Sequence, residues 1–499
     1  MKLNMLDRAV MSVSPQRGLR RVRAKALAEV ILGTSAGYDA AGKGRRGQWI
    51  RGSGTSQTTE TRRAITILRG RHRELVRNNG YVSAAINETV SLTIGDGLQP
   101  VARGGTDEQR KLAQELMLEW AKSTFIDVDG LLDLFGLQAL MMRTETEGGE
   151  GLALKRIRKI PGIRVPLQIR VLEGDYLDHT RDGTIDGRRV VMGVAFGPEL
   201  DRVGYYIHRH HPGDNEVVLG GSRFTPVSEV AHVYEIRRPG QVRGMPRATS
   251  VMMRVDNLDK FQDARLEQQK IAACLAALIT QGEDGKVKGD VLPERLEPAM
   301  LARLGPDESV TSLNPPSVSG QQEFVTGEEH IIAKGYGLNH QVLTGNISGA
   351  NFSSSKIGRL DVYGNVGRWR RQMIIPQFCK RVEAWFIEAA YLAGYDLTGI
   401  TFDWVPPRSE ILNLRDDIPA LIKQARGGFG SMFSLLRSLG HPDPREVLQE
   451  IAECNQLLDD LGIVLDSDPR RTTAGGQLQP EEVEPPPPND PDSGALDEA

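Results

Sequence analysis

Apolar and polar positions change their rhythm repeatedly along the chain. Between Thr61 and Gly97 the apolar residues Ile65, Leu68, Leu75, Val82, Ile86 and Val90 recur near helical spacing. The Asn78-Asn79-Gly80 break divides this run into two helices, and Gly95-Asp96-Gly97 stops the second. Two further helices are expected over 106–122 and 130–143. From about 150 to 240 the pattern shortens to "LALKRI", "LQIRVLE", "RVVMGVAF", "RVGYYIHRHH" and "VAHVYEI". These β-branched-rich runs, divided by Gly, Asp and Pro, predict a small, mostly antiparallel sheet.

Helical spacing returns over 248–280, carried by Val251, Val255, Leu258, Phe261, Ile271, Leu275 and Leu278. A helix of that length spans about 45 Å. Its middle, Asp256 to Lys270, is heavily charged. A turn-rich excursion occupies 281–320, and a second helix is expected over 321–338. The stretch 339–355 then contains "TGNISGANFSSS", in which Thr344 to Ser355 include no Lys, Arg, Asp or Glu. Ser353 or Ser354 is placed to cap a long helix running toward Ala393, and Pro376 inside it predicts a kink. A return strand closes the segment 356–408, and 409–468 reads as a helical cluster with "DIPALIKQ", "SMFSLLRSLG" and "DPREVLQEIAECNQLLDDLG".

A chain of 499 residues suggests about three structural units. With 39% hydrophobic and 25% charged residues it fits a water-soluble globular protein. The net charge of −3 argues against a general nucleic-acid binder, but the ends differ. Residues 1–60 are rich in Arg and turn formers and read as a mobile basic arm; 469–499 read as a disordered, acidic, Pro-rich tail. Cys274, Cys379 and Cys454 are too far apart for a zinc spacing and odd in number, which points to a reducing compartment. Apolar runs of about 18 residues are absent, so no membrane span is expected.

Two clusters could carry chemistry. "HRHH" holds His208, His210 and His211, but on a strand His210 and His211 point apart. "ETEGGEG" holds Glu145, Glu147 and Glu150, which could act as acid and base or hold magnesium. Between a helix and a strand, a solvated turn explains them more simply. P-loop, G-x-S-x-G and H-E-x-x-H patterns are missing. The residues themselves propose no catalytic group, metal or cofactor.

The order of elements and four segments carry a resemblance. "RNNGYVSAAINETVSLTIGDGL", "GQVRGMP", "LEQQKIAACLAALIT" and above all "GLNHQVLTGNISGANFSSSKIGRL" resemble the lambda family of tailed-phage portal proteins, over roughly residues 60–468. The resemblance implies an α+β, mainly helical portal fold. In it, 61–247 would be the wing, 248–280 and 321–338 the stem helices, 281–320 the clip, 339–355 the tunnel loop, 356–408 the long kinked wing helix with its return strand, and 409–468 a crown-like region. It further implies a homo-oligomeric ring, usually of twelve subunits, at one capsid vertex of the virion, built in the host cytoplasm.

In that reading double-stranded DNA passes the loop without sequence specificity, at Asn346, Ser348, Asn351, Ser353, Ser354, Ser355 and Lys356. The clip residues Lys286, Lys288, Glu294 and Arg295 would dock the terminase large subunit and the head-tail adaptor protein. The major capsid protein and scaffold would be the remaining partners. Rival readings are a metal-dependent hydrolase built on the histidines or glutamates above, and a different ring-forming phage connector.

Overall fold

The computed structural model describes residues 54–214, 221–273, 277–281, 308–312, 320–348, 352–407, 414–439, 441, 443–465 and 470. Residues Met1–Glu60 and Thr61–Ala499 form two separate compact units. Of the first, the described part ends in the opening turn of helix α1, Gln57–Asn78.

Within the second unit, α1 buries Ile65, Arg69 and His72. Asn79 stops it and restarts the chain as α2, Gly80–Ile94, by accepting the Val82 amide on its side-chain oxygen at 3.1 Å. Strand β1, Gln99–Gly104, follows and pairs antiparallel with the much later β12, Ile400–Val405. Helix α3, Asp107–Ala121, opens on a capping box between Thr106 and Gln109. Helix α4, Leu134–Gly148, opens on Asp133 and closes at Gly149, whose φ of 85° only glycine adopts at little cost.

Strands β2 (Glu150–Ile157), β3 (Leu167–Glu173) and β9 (Val230–Tyr234) form an antiparallel sheet in the order β3-β2-β9. Strands β4 (Gly183–Ile185), β5 (Arg188–Val191), β6 (Val194–Phe196), β7 (Arg202–Ile207) and β8 (Arg223–Pro226) make a five-stranded meander. Leu152, Leu172, Leu177, Val194, Tyr205 and Ile207 pack together and bury the facing sides of the two sheets.

The helix expected over 248–280 is shorter. A 3-10 turn, Arg247–Ser250, leads into α5, Met252–Ala273, and Ala277–Gln281 is instead strand β10. It pairs antiparallel with β11, Glu308–Ser312, with Ala277 opposite Ser312. A short apolar run fits either period, and its distant partner decided the outcome. Helix α6, Gln321–Tyr336, ends at Gly337, and the stretch expected as loop contains α7, His340–Thr344.

Helix α8 is Phe352–Trp369, so Ser353 and Ser354 lie inside it and not at its cap. It continues through a π-helical stretch, Arg370–Cys379, into α9, Lys380–Leu392. Pro376 lies in the wider π turns, where a missing N–H and a bulky ring disturb the backbone less than in an α-helix. Helices α10 (Leu414–Arg426), α11 (Met432–Ser438) and α12 (Pro444–Asp460) complete the described chain. The main core joins α2, α3, α4, α9 and β12 through Trp120, Trp385, Phe378, Phe386 and Phe402.

Candidate functional site in the polar loop

The stretch between α6 and α8 is built to hold itself. Gly337, at φ 78°, turns the chain out of α6 beside the Trp369 ring, which an added Cβ would approach to 2.9 Å. Asn339 then starts α7 by accepting the Val342 amide at 2.8 Å. Gly345, at φ 68°, ends it and donates its amide to the Gln341 carbonyl at 2.9 Å. The Thr344 hydroxyl donates to the His340 carbonyl at 2.8 Å and accepts the Asn346 amide at 3.2 Å. The Ser348 amide and hydroxyl both donate to Asn346 Oδ1, at 2.9 and 2.5 Å. Asn346 and Ser348 are exposed, yet each spends a polar group on the other.

Between them Ile347 is 75% exposed and puts an apolar tip on the loop, a residue that the count of hydroxyls and amides passed over. Ser353, Ser354, Ser355 and Lys356 have helical backbone at the start of α8. Asn351 lies outside the described residues, as do Lys286, Lys288, Glu294 and Arg295.

Behind the loop stands a polar support. Glu329 on α6 accepts from the Tyr81 hydroxyl at 2.8 Å and from His340 Nε2 at 2.8 Å. His330 stacks on His340 with ring centres 4.4 Å apart. Gly358 on α8 lets Asn339 approach, since a Cβ there would lie 2.9 Å from its Nδ2. These elements bound a groove of about 520 Å³ whose lining includes Gln322, Thr326, His330 and Lys334. Lys334 is held by Asp361. Deeper, His72 bonds the Glu147 carbonyl at 2.7 Å and the Tyr336 hydroxyl at 2.8 Å, and burial lowers its pKa while raising that of Tyr336. Arg370 closes α2 by donating to the Leu92 and Thr93 carbonyls, both at 2.7 Å, and burial pulls it down to about 10. The arrangement offers hydrogen bonds and a shaped wall.

Glu145 and Glu150 are not in a solvated turn, whereas Glu147 between them is half-buried. Glu150 is fully buried at the start of β2. Its carboxylate binds both Arg69 and Arg243, accepts the Gly244 amide at 2.8 Å and lies 3.0 Å from His232 Nε2. Burial alone would raise its pKa, but the Arg243 and Arg69 charges outweigh that and hold it well below the usual carboxylate range. Burial pushes His232 down to about 4, so it stays neutral. Glu145 pairs with Arg247 at 2.6 Å, and Arg247 also lies over the Trp369 ring at 4.1 Å. The "GQVRGMP" segment supplies Arg243 and passes so close to Gly149 that neither Gly149 nor Gly244 has room for a Cβ. Glu145 and Glu150 therefore join helix, sheet and segment, and are tied up structurally.

The histidines do not converge. His208 faces Asp178 at 3.6 Å, His211 faces Glu173 at 3.3 Å, and His210 is exposed. His211, Glu173 and Asp175 do place one ligand atom each within 4.8 Å of one another. Arg73 already bonds both carboxylates, at 2.7 and 2.6 Å, and Arg69 lies 3.9 Å from Asp175, which offsets part of the negative charge there.

A family model described as "Phage portal protein, lambda family" matches residues 43–370. The class is thus that of the phage portal proteins, structural components and not enzymes as a family. The chain belongs to the lambda family of phage portal proteins. A probable portal protein of Halomonas phage phiHAP-1 is 24% identical over 433 residues, which is 79% of this chain and 81% of the relative. Among solved structures, the neck of an empty GTA particle computed with C6 symmetry is similar at a TM-score of 0.43 and 15% identity, covering 78% of this chain and 94% of that one. An HK97 family phage portal protein from Corynebacterium diphtheriae gives a TM-score of 0.32 at 10% identity, covering 66% of this chain and 94% of that one.

Proposed function

We propose that the protein forms a closed ring of its own copies, twelve in the usual portal arrangement, at one capsid vertex. Its axial channel passes double-stranded DNA inward during packaging and outward during ejection. Residues 61–247 act as wing, the helices on either side of 281–320 as stem, and 281–320 as clip. The clip, through Lys286, Lys288, Glu294 and Arg295, docks the terminase large subunit and later the head-tail adaptor, while the wing meets the major capsid protein and scaffold. The observation that carries this reading is the stretch Thr344–Ser355, which runs from the last residue of α7 into the first turn of α8. It has no charged side chain, lies within a family match that spans residues 43–370, and spends the Ser348 amide and hydroxyl on the Asn346 side-chain oxygen. A surface repeated around a channel must let phosphates pass, and groups already bonded within the loop hold them weakly.

A cation would change that. Each phosphate neutralised adds about 0.9 to the salt slope of DNA binding. Asn346→Lys or Ser348→Lys, repeated in every subunit, is expected to leave rings intact while slowing packaging more at low salt than at high salt. Electron micrographs of the purified protein test the ring, and packaged DNA length and rate at two salt concentrations test the loop. A protein without a ring or channel sinks the function. Intact rings with normal packaging at both salts remove the loop from the DNA path.

A further inference from the structure

Helices α10 to α12 carry more exposed apolar surface than a free face of a folded chain needs. Ile422 on α10 is 48% exposed, and Phe429 just beyond it 85%. On α12, Ile451 is 49% exposed and Leu457 58% exposed, on either side of Cys454, a free and exposed thiol. The two helices also differ in charge. Beside Ile422 stand Lys423 and Arg426, the basic last turn of α10. Beside Ile451 and Cys454 stand Glu450 and Glu453, with Glu446 a turn earlier. None of these five charged side chains has an ion-pair partner among the described residues.

One chain therefore presents two different apolar stripes, one edged with cations and the other with anions. We infer that the α10 face of one copy packs on the α12 face of the next, Ile422 against the Ile451–Cys454 side and Lys423 and Arg426 against Glu450 and Glu453. This deepens, and rests on, the ring reading above. The occupant is a second copy because the chain carries both halves of the match. Two unlike patches meeting head to tail generate a ring or an open chain, whereas one self-matching patch would stop at a pair. Apolar area supplies the adhesion, and the charges set which stripe meets which.

The thiol at Cys454 makes the contact directly measurable in the full-length protein. Ile422→Cys, in a Cys274→Ser background, is oxidised with copper phenanthroline and run on a non-reducing gel, beside electron micrographs of the same sample. The expected result is a disulfide ladder extending beyond the dimer, abolished by Cys454→Ser. A dimer alone would mean a self-matching contact and overturn the inference. Rings without any ladder overturn this contact and leave the ring itself standing. Wild-type protein that forms no ring overturns both.

A second arm avoids the new cysteine. Lys423→Glu with Arg426→Glu is expected to raise the protein concentration needed for half-assembly at least tenfold, and adding Glu450→Lys with Glu453→Lys should restore it. Assembly indifferent to the first pair, or unrescued by the second, also overturns the inference.

Discussion

Replacing Glu150 by Gln keeps shape and removes one negative charge from between two buried guanidinium groups. Arg69 would retain Asp175 at 3.9 Å, and Arg243 would retain the carbonyls of Leu177, Met192 and Gly174 at 3.3, 2.8 and 2.8 Å. Two cations would then share the pocket without their common anion. Removing one partner of a buried pair costs about 3–5 kcal/mol, so about 4 kcal/mol is expected here. Arg243→Gln should cost less, about 2–3 kcal/mol, because Glu150 loses the Arg243 donors but keeps Arg69, the Gly244 amide and His232, and the other groups that lose a donor are neutral carbonyls. The assay is urea unfolding of the full-length protein followed by tryptophan fluorescence, since Trp120, Trp369 and Trp385 lie in the adjoining core. Lys260→Ala, which breaks the exposed Asp256–Lys260 pair, serves as reference and should be close to wild type. The sign with pH follows from the depressed carboxyl. The stabilisation is present above the unfolded glutamate pKa and is lost only as pH falls through the folded value, well below the usual range. Glu150→Gln indistinguishable from Lys260→Ala, or less costly than Arg243→Gln, would refute the reasoning.

His232 supplies a second, milder pH effect. It is neutral in the fold with a pKa of about 4, against about 6.5 when unfolded, so stability should fall by about 3 kcal/mol as pH drops from 6.5 to 4. His232→Gln should flatten that part of a plot of urea midpoint against pH, and an unchanged slope would assign the effect elsewhere. Gly337→Ala adds a Cβ at φ 78° and 2.9 Å from the Trp369 ring, whereas Gly162→Ala adds one at φ 80° in open space. The first should cost about 3 kcal/mol and the second about 1 kcal/mol, and equal melting temperatures for the two would show that the Trp369 contact yields freely.

Local signals were legible where a residue and its partner are neighbours. The α1–α2 break was readable because Asn79 caps the helix it begins. Antiparallel pairing over 150–240 was readable because β4 to β8 pair in chain order, but the one sheet expected there is two, since β9 returns to pair with β2. Partners far along the chain were not. Glu145 and Glu150 looked like a wet turn because Arg247 and Arg243, which bury them, lie about a hundred residues later. Strand β10 was read as the end of a helix because β11 follows a long excursion. Asn346 and Ser348 stand out only through the resemblance to portal proteins, and their bond to one another and the exposure of Ile347 follow the left-handed turn at Gly345.

The π-helical stretch between α8 and α9 sets an angular phase. Each residue of an α-helix advances the side chains by about 100°, and a π turn spends an extra residue to make its circuit. Everything beyond Cys379 is therefore indexed against that stretch. Trp385, Phe386, Ala389 and Ala390 face the core, while Tyr391 and Leu392 face outward. Winding 370–379 as ordinary α-helix at unchanged length would leave that residue over and turn the index by about 100° for each π turn lost, carrying the aromatic pair away from Trp120 and Phe402. Such a change would leave composition and hydrophobicity untouched. It would break the fit between α9 and the sheet much as a one-tooth slip mistimes two gears that are each still sound.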